Sequence, residues 1–301
     1  MAIRFKGSFE PRDLPCKGTK AARDAFEGMQ PGTKDEDHID RLKYLEALGC
    51  IGWPASMTWP DIAYYYSVLG SFMMYPKQEH LDAVMHVIGY LVNTSDIGIT
   101  YGGRLVIPMG LTRFPPGFHA SYGLYAYTDA SWNKRPLPHG GHAIMVSNGT
   151  ILWSCKKLKV IPDSTAEAET NQGSKCTKDA IFVRSVYDGA NRPVSGPTTI
   201  LVDCAAMHQL VAKEGSSQRT RYYERATILI KYAIMRLIVR CELITTDVMA
   251  ADIFTKATEK ETFLRMRNWM MNLSGHVEYG QSSNKARKLM NAAMRLLDRM
   301  L

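Results

Sequence analysis

The chain has 301 residues, 46% hydrophobic and 22% charged, the balance of a globular protein with room for two modest domains. Its net charge of +8 fits a polyanionic partner, and no run of 18 apolar residues is present to span a membrane. Six scattered cysteines without a Cys-x-x-Cys pair argue against a zinc ribbon and a secreted disulfide scaffold. The first residues lack the apolar core of a signal peptide, so a cytoplasmic and/or nuclear location is expected.

Residues 1–37 are polar, with Pro11, Pro15, Gly18, Pro31 and Gly32 and no sustained period, and read as an extended arm or linker. Residues 38–101 read as a mostly helical module. Thr58-Trp59-Pro60-Asp61 carries a cap candidate, an early proline and an early acid, all signals of a helix start. Ile62, Tyr65, Tyr66, Leu69, Phe72 and Met73 follow at helical spacing, and Pro76 ends the run. Leu81, Val84, Ile88 and Leu91 mark a second amphipathic helix, and 97–101 reads as a short strand. The aromatic run Tyr64-Tyr65-Tyr66 reads as helix core and rim.

Residues 102–121 hold Gly102, Gly103, Pro108, Gly110, Pro115, Pro116 and Gly117 and read as a linker by their turn chemistry. Strands are then predicted at 123–129, 142–146 and 150–154, the last two joined by Ser147-Asn148-Gly149. A helix over 165–187 follows, then a β-branched strand at 198–203 and helices at 205–212 and 221–234. Val239, Cys241 and Leu243 alternate with Arg240 and Glu242 as a half-buried strand should. A closing helix is predicted over 247–256. This order implies an α/β domain, a mixed sheet covered by helices. The final stretch carries Lys285, Arg287, Lys288, Arg295 and Arg299 beside a stripe of Leu289, Ala293, Leu296 and Met300, and reads as a basic amphipathic helix over 273–301 that docks on the body or a partner.

Four acidic motifs stand out. They are Tyr-Thr-Asp-Ala-Ser-Trp at Asp129, Ser-Thr-Ala-Glu-Ala-Glu at Glu167 and Glu169, Leu-Val-Asp-Cys at Asp203 and Ala-Ala-Asp-Ile-Phe-Thr-Lys at Asp252. Asp129 and Asp203 each close an apolar strand, where an acid is costly to bury unless paired or metal-bound. Cleavage of a phosphodiester bond by two Mg²⁺ about 4 Å apart requires such carboxylates to converge from separate elements, because Mg²⁺ takes hard oxygen ligands. Glu167 and Glu169 differ by about 200° of helix rotation, so only one faces such a cluster. The residues alone do not say which. Asp252 shares a helical face with Val248, Ala251 and Thr255 and is anomalous for a core stripe.

The order and contexts of these motifs resemble the ribonuclease H domain of copia-type retrotransposon polyproteins. The resemblance rests on Asp129-Ala130-Ser131-Trp132, Trp153-Ser154-Cys155-Lys156-Lys157, Glu167-Ala168-Glu169-Thr170, Val202-Asp203-Cys204, Arg219-Thr220-Arg221-Tyr222 and Ala251-Asp252-Ile253-Phe254-Thr255-Lys256. Upstream, Leu48-Gly49-Cys50-Ile51, Trp59-Pro60-Asp61-Ile62-Ala63-Tyr64 and Ile97-Gly98-Ile99-Thr100-Tyr101 are similar to that family's segment between polymerase and ribonuclease H.

The resemblance implies a ribonuclease H-like domain over 122–272, with a mixed five-stranded sheet flanked by helices and a reverse-transcriptase-type connection module over 38–101. It implies Asp129, Glu169, Asp203 and Asp252 as catalytic metal ligands, with Glu169 chosen over Glu167. It further implies two Mg²⁺ ions, with Mn²⁺ as a substitute, an RNA–DNA hybrid as substrate, and the rest of the Pol polyprotein (polymerase, integrase) as partners, with no membrane. Departures from the family pattern are Tyr222 in place of a His, Cys204-Ala205 after the third acid, and Thr170, Asn171, Gln172 and Gly173 where apolar residues are usual. Gly173 is expected to weaken its helix by up to about 1 kcal/mol.

Lys156, Lys157 and Lys159 are candidate phosphate contacts, which position a nucleic acid rather than read its sequence; a solvated basic edge is the other reading. His139-Gly140-Gly141-His142 reads as a turn. No Asp-Asp pair occurs, so the chain lacks a polymerase signature, and the last acid of the series is not a Glu as in an integrase. Three functions stay open: a hybrid-cutting nuclease, an inactive or domesticated module that binds nucleic acid or protein, and a structural component of a larger assembly.

Overall fold

The computed structural model describes residues 10–36, 39–132, 138–159, 162–213 and 222–273. They form two compact units, one within residues 10–99 and the other over 100–271. The basic helix expected over 273–301 and the Arg219-Thr220-Arg221 motif lie outside the described residues, apart from residue 273.

The first unit is helical: α1 (Lys20–Gly28), α2 (Arg41–Met57), α3 (Ala63–Leu69) and α4 (Gln78–Asn93). Residues 1–37 are therefore not simply an extended arm. Thr19 caps α1 by accepting from the Ala22 N–H, and Phe26 buries its ring against Tyr64 and Tyr65. Phe26 is the one buried residue of this nine-residue helix, and its other apolar residues are alanines. The expected Thr58 cap is replaced by a 3-10 turn over Pro60–Ile62, and Asp61 turns inward to accept from the buried Tyr90 hydroxyl. Tyr64 and Tyr65 are buried and Tyr66 is half-buried, as core and rim. Residues 97–101 form no strand.

The second unit is built on one five-stranded sheet: β1 (Tyr125–Ala130), β2 (His139–Val146), β3 (Gly149–Lys157), β4 (Thr198–Val202) and β5 (Val239–Leu243), in the order β3-β2-β1-β4-β5. β2 alone runs against its neighbours; β1, β4 and β5 are parallel. This order is that of a ribonuclease H-like sheet. β4 reads Thr-Thr-Ile-Leu-Val with every residue buried, as a central parallel strand covered on both faces should be.

The helices are α5 (Thr165–Gly189), α6 (Ala205–Ala212), α7 (Glu224–Met235) and α8 (Lys260–Met271). Leu124, just before β1, and Ala126 of β1 pack with Ile200, Val202 and the Cys176, Ala180 and Val183 stripe of α5 in one core. Full burial of a side chain such as Ile200 contributes about 1.5–3 kcal/mol. By strand alternation Tyr125, Tyr127 and Asp129 face the other way.

Three local readings change. The hairpin turn is Ser147-Asn148, both at positive φ (47° and 71°), and Gly149 already begins β3. The Asn148 amide bonds the Gly102 and Arg104 carbonyls at 3.0 Å and the Val106 N–H at 3.1 Å. The proline- and glycine-rich stretch 102–121 therefore lies within the second unit instead of linking two bodies. His139-Gly140-Gly141-His142 is the start of β2, not a turn.

Candidate active site

β1 and β4 are parallel neighbours with Tyr127 opposite Leu201, so their carboxyl ends lie side by side. Asp129 is the fifth residue of β1, and Asp203 directly follows β4. Two strand ends thereby deliver two carboxylates to one place. α5 delivers the third. Its second turn packs Ala168 against Ala130 and Leu158, small side chains that let the helix approach the end of β1. Glu169 comes one residue later, and the Ala130 backbone N–H bonds it. Oxygen atoms of Asp129, Glu169 and Asp203 lie within 4.8 Å of one another.

Glu167 points elsewhere. Ser164 caps α5 by accepting from the Glu167 N–H at 3.2 Å, and Glu167 Oε2 accepts from the Asp163 N–H at 2.9 Å. This is a capping box displaced by one residue. Glu167 is a helix-start residue, and Glu169 is the one aimed at the strand ends.

Asp252 arrives differently from the expectation. Residues 247–256 are not a helix but two 3-10 turns, Thr246–Val248 and Ala250–Phe254, and the Asp252 N–H bonds the Met249 carbonyl three residues back. Phe254 lies directly over Gly141, which pairs with Asp129 across the sheet; any side chain at Gly141 would strike the Phe254 Cβ. That contact brings the Thr255 hydroxyl to donate to Asp129 Oδ2. Asp252 is buried at 4% exposure, and its Oδ2 pairs with Lys256 Nζ at 2.7 Å. It is not one of the three mutually close carboxylates, yet the charges of Asp129 and Asp203 act on it.

The electrostatics follow from this crowding. Burial, then the Asp129 and Asp203 charges, push the Glu169 carboxyl up to about 11. Burial and Asp129 raise Asp203, which the Thr246 hydroxyl partly opposes. Burial and Asp129 raise Asp252 to about 7 against the pull of Lys256. Lys256 in turn is held charged by Asp252, Asp129 and Asp203, although burial opposes this. Glu169 Oε2 and Asp252 Oδ1 are buried without a hydrogen-bond partner. Like charges and unpartnered oxygens gathered this way fit a hard divalent cation, whose binding requires the carboxylates to release their protons.

The hydroxyls of Thr255 and Thr246 and the Lys256 ammonium had no role assigned from sequence. Thr255 and Lys256 belong to the Ala-Asp-Ile-Phe-Thr-Lys motif, but only the fold shows what they touch. The polar run expected to soften α5 is instead satisfied. Thr170 Oγ1 donates to the Ala166 carbonyl at 2.6 Å, and Gln172 bonds His142 Nδ1 at 2.9 Å. Gly173 makes room for Met207 of α6, and α5 runs unbroken for 25 residues. His142 Nε2 meets Asp179 at 2.8 Å, so this histidine has partners on both ring nitrogens.

Lys156 and Lys157 close β3, and Lys159 follows Leu158. All three line a groove of about 790 Å³ whose walls include none of the four acids.

No protein-family model matches the chain. It is 25% identical over 227 residues to the retrovirus-related Pol polyprotein from transposon RE1 of Arabidopsis thaliana, a match covering 74% of this chain and 14% of that protein. It is 31% identical over 150 residues to a transposon Ty5-1 protein of Saccharomyces cerevisiae, covering 48% of this chain and 42% of that one. An RNase H domain structure from Mycobacterium tuberculosis aligns at 9% identity with a TM-score of 0.35, over 48% of this chain and 94% of the other. That likeness adds nothing to what the strand order itself defines. The fold is ribonuclease H-like, and the chain is similar to a segment of copia-type retrotransposon Pol polyproteins. It spans only a small part of the RE1 polyprotein's length. Among the described residues no helix is long and apolar enough to cross a membrane.

Proposed function

We propose that this chain hydrolyses the RNA strand of RNA–DNA hybrids in a Mg²⁺-dependent reaction, with Mn²⁺ able to substitute, as part of a retrotransposon Pol polyprotein. The observation that carries this reading is the convergence of Asp129, Glu169 and Asp203 within 4.8 Å, from two strand ends and a helix. Asp252 joins them as the fourth acid.

In this reading the four carboxylates hold the ions, which supply an activated water and stabilise the leaving oxyanion when bound. The chain's own groups prepare the site. Thr255 fixes one oxygen of Asp129, Thr246 orients Asp203, and the Ala130 N–H orients Glu169. Glu169 Oε2 and Asp252 Oδ1 are left as free acceptors. Lys156, Lys157 and Lys159 hold the phosphate backbone of the hybrid by charge, while recognition depends on hybrid shape and 2′-hydroxyls rather than base sequence. The unit over 10–99 is the connection module of this reading, and the unit over 100–271 the nuclease.

One observation favours a second reading, an inactive module that grips hybrids without cutting them: Asp252 Oδ2 is already neutralised by Lys256. The deciding experiment incubates the purified chain with labelled RNA–DNA hybrid and Mg²⁺ beside an Asp203→Asn variant. Products with 3′-hydroxyl and 5′-phosphate ends, absent for the variant, support the hydrolase. Hybrid binding with no cleavage at any Mg²⁺ or Mn²⁺ concentration sinks it in favour of the second reading.

A further inference from the structure

The groove beside β3 is more basic than the sequence pattern of that strand reveals. Besides Lys156, Lys157 and Lys159 it is lined by Lys175 and Lys178 of α5 and by Arg225 of α7. These six cations come from three elements separated by up to about 70 positions in the chain. One acid lies among them, Asp179, and its Oδ2 is engaged by His142 Nε2 at 2.8 Å. The lysines sense one another. Lys175 is held below its ordinary value by burial and then by the charges of Lys156, Lys159 and Lys178, and burial lowers Lys157. Gathering cations in a concave wall opposes folding unless the arrangement serves a polyanion.

By helix rotation Lys175 lies about 120° and Lys178 about 180° around α5 from Glu169, so the groove stands apart from the carboxylate cluster. A concave wall of cations drawn from separate segments suits the regularly charged backbone of a polyanion.

We propose that the groove formed by β3, α5 and α7 is a second anchoring site for a phosphodiester backbone, with Lys175, Lys178 and Arg225 as its new contacts. The inference rests on the reading that the substrate is a nucleic-acid duplex, but not on its cleavage. It concerns affinity, and the carboxylate cluster concerns chemistry.

The test is binding of a fluorescein-labelled RNA–DNA hybrid by anisotropy, in EDTA so that no cleavage intervenes, over a series of salt concentrations. The full chain is compared with Lys175→Gln/Lys178→Gln, with Lys175→Arg/Lys178→Arg, and with Lys260→Gln, an exposed lysine at the start of α8. Each phosphate contact contributes about 0.9 to the slope of log affinity against log salt, so the double glutamine variant should lose close to 2 in slope. The arginine pair should retain the full slope, as should Lys260→Gln. An unchanged slope in the glutamine pair, or no hybrid binding by the full chain, overturns the proposal. Cleavage with an unchanged slope would remove the groove and leave the hydrolase standing. A reduced slope in a chain that never cleaves would do the reverse.

Discussion

Two ends of one helical segment carry opposite charge problems. Near its start α5 places Glu169 among Asp129 and Asp203; about two turns later it places Lys175 and Lys178 among Lys156 and Lys159. Both sites crowd like charges, but they relieve the crowding differently. Glu169 is buried, and burial with the Asp129 and Asp203 charges pushes its carboxyl up to about 11. The lysines stand at the surface, where water and salt screen their mutual repulsion. A buried cluster of acids demands a compact counter-ion inside the protein. An open cluster of lysines serves an extended partner outside it. Burial, more than charge count, separates a candidate reaction centre from a candidate docking groove.

The comparison breaks most visibly if the acids are not the reaction centre. Asp129→Asn keeps the size of the side chain and the Thr255 contact but removes a charge from the centre of the cluster. Hybrid cleavage is expected to fall by at least about 100-fold, the scale seen when a single group stabilising developing charge is lost. Hybrid affinity in EDTA should stay within about twofold. Gel-resolved cleavage beside anisotropy checks both, and equal losses in the two would dissolve the distinction between the sites.

Next in size is a change that moves only the acidic side. Gly141→Ala drives a methyl group into Phe254, whose near atoms belong to the Cβ and backbone and cannot swing away. Overpacking of this kind costs about 1–3 kcal/mol. Because the 3-10 turn carrying Asp252 and the Thr255 contact to Asp129 both depend on that approach, the variant should unfold at lower denaturant and bind Mg²⁺ more weakly. Its salt slope for hybrid binding should be intact. Normal metal affinity in a destabilised variant would show that Asp252 is held by something other than this contact.

A third effect is the pH dependence of the metal-free protein. A carboxyl whose folded value lies above its unfolded one lets the native state bind more protons. Stability is then greatest below the unfolded value, near 4.5 for Glu169, and falls as pH rises toward the folded value. In EDTA the thermal midpoint should drop between about pH 5 and pH 9, and Glu169→Gln should flatten that drop. Added Mg²⁺ should release protons and lift the midpoint at the alkaline end. A midpoint rising with pH over this range in the chelated protein would contradict the crowding of the acids.

What the sequence could reveal follows the same division. Asp129 and Asp203 were legible because each ends a buried strand, and β4's unbroken Thr-Thr-Ile-Leu-Val run marks a central parallel strand. Glu169 against Glu167 was not decidable from helix rotation alone, since the cap that captures Glu167 depends on where α5 starts. The 3-10 geometry around Asp252 left no pattern: residues 250–254 are all buried, so no polar face exists to give a period. α1 was lost because it is short and buries a single side chain, Phe26, among alanines and charged residues. Half of the lysine groove was invisible because Lys156 and Lys175 come to one groove only in the fold. The packing role of Gly173 was invisible because Met207, for which it makes room, lies 34 positions away in the chain.

The finest test concerns Lys256, a cation inside the acidic site. Lys256 pairs with Asp252 at 2.7 Å and is held charged by three of the acids, so it occupies the charge role that a metal would fill. If it competes with the ion for Asp252 Oδ2, Lys256→Gln should bind Mg²⁺ more tightly. The side chain is 44% exposed, so water already screens the pair, and the gain should be small, about two- to fivefold. Calorimetric titration with Mg²⁺ measures it. Weaker binding in the variant would mean the opposite arrangement, in which Lys256 holds Asp252 in place for the ion and leaves it when the ion arrives. Either result assigns the ammonium to the acidic site, because the groove's salt slope should not respond to this substitution.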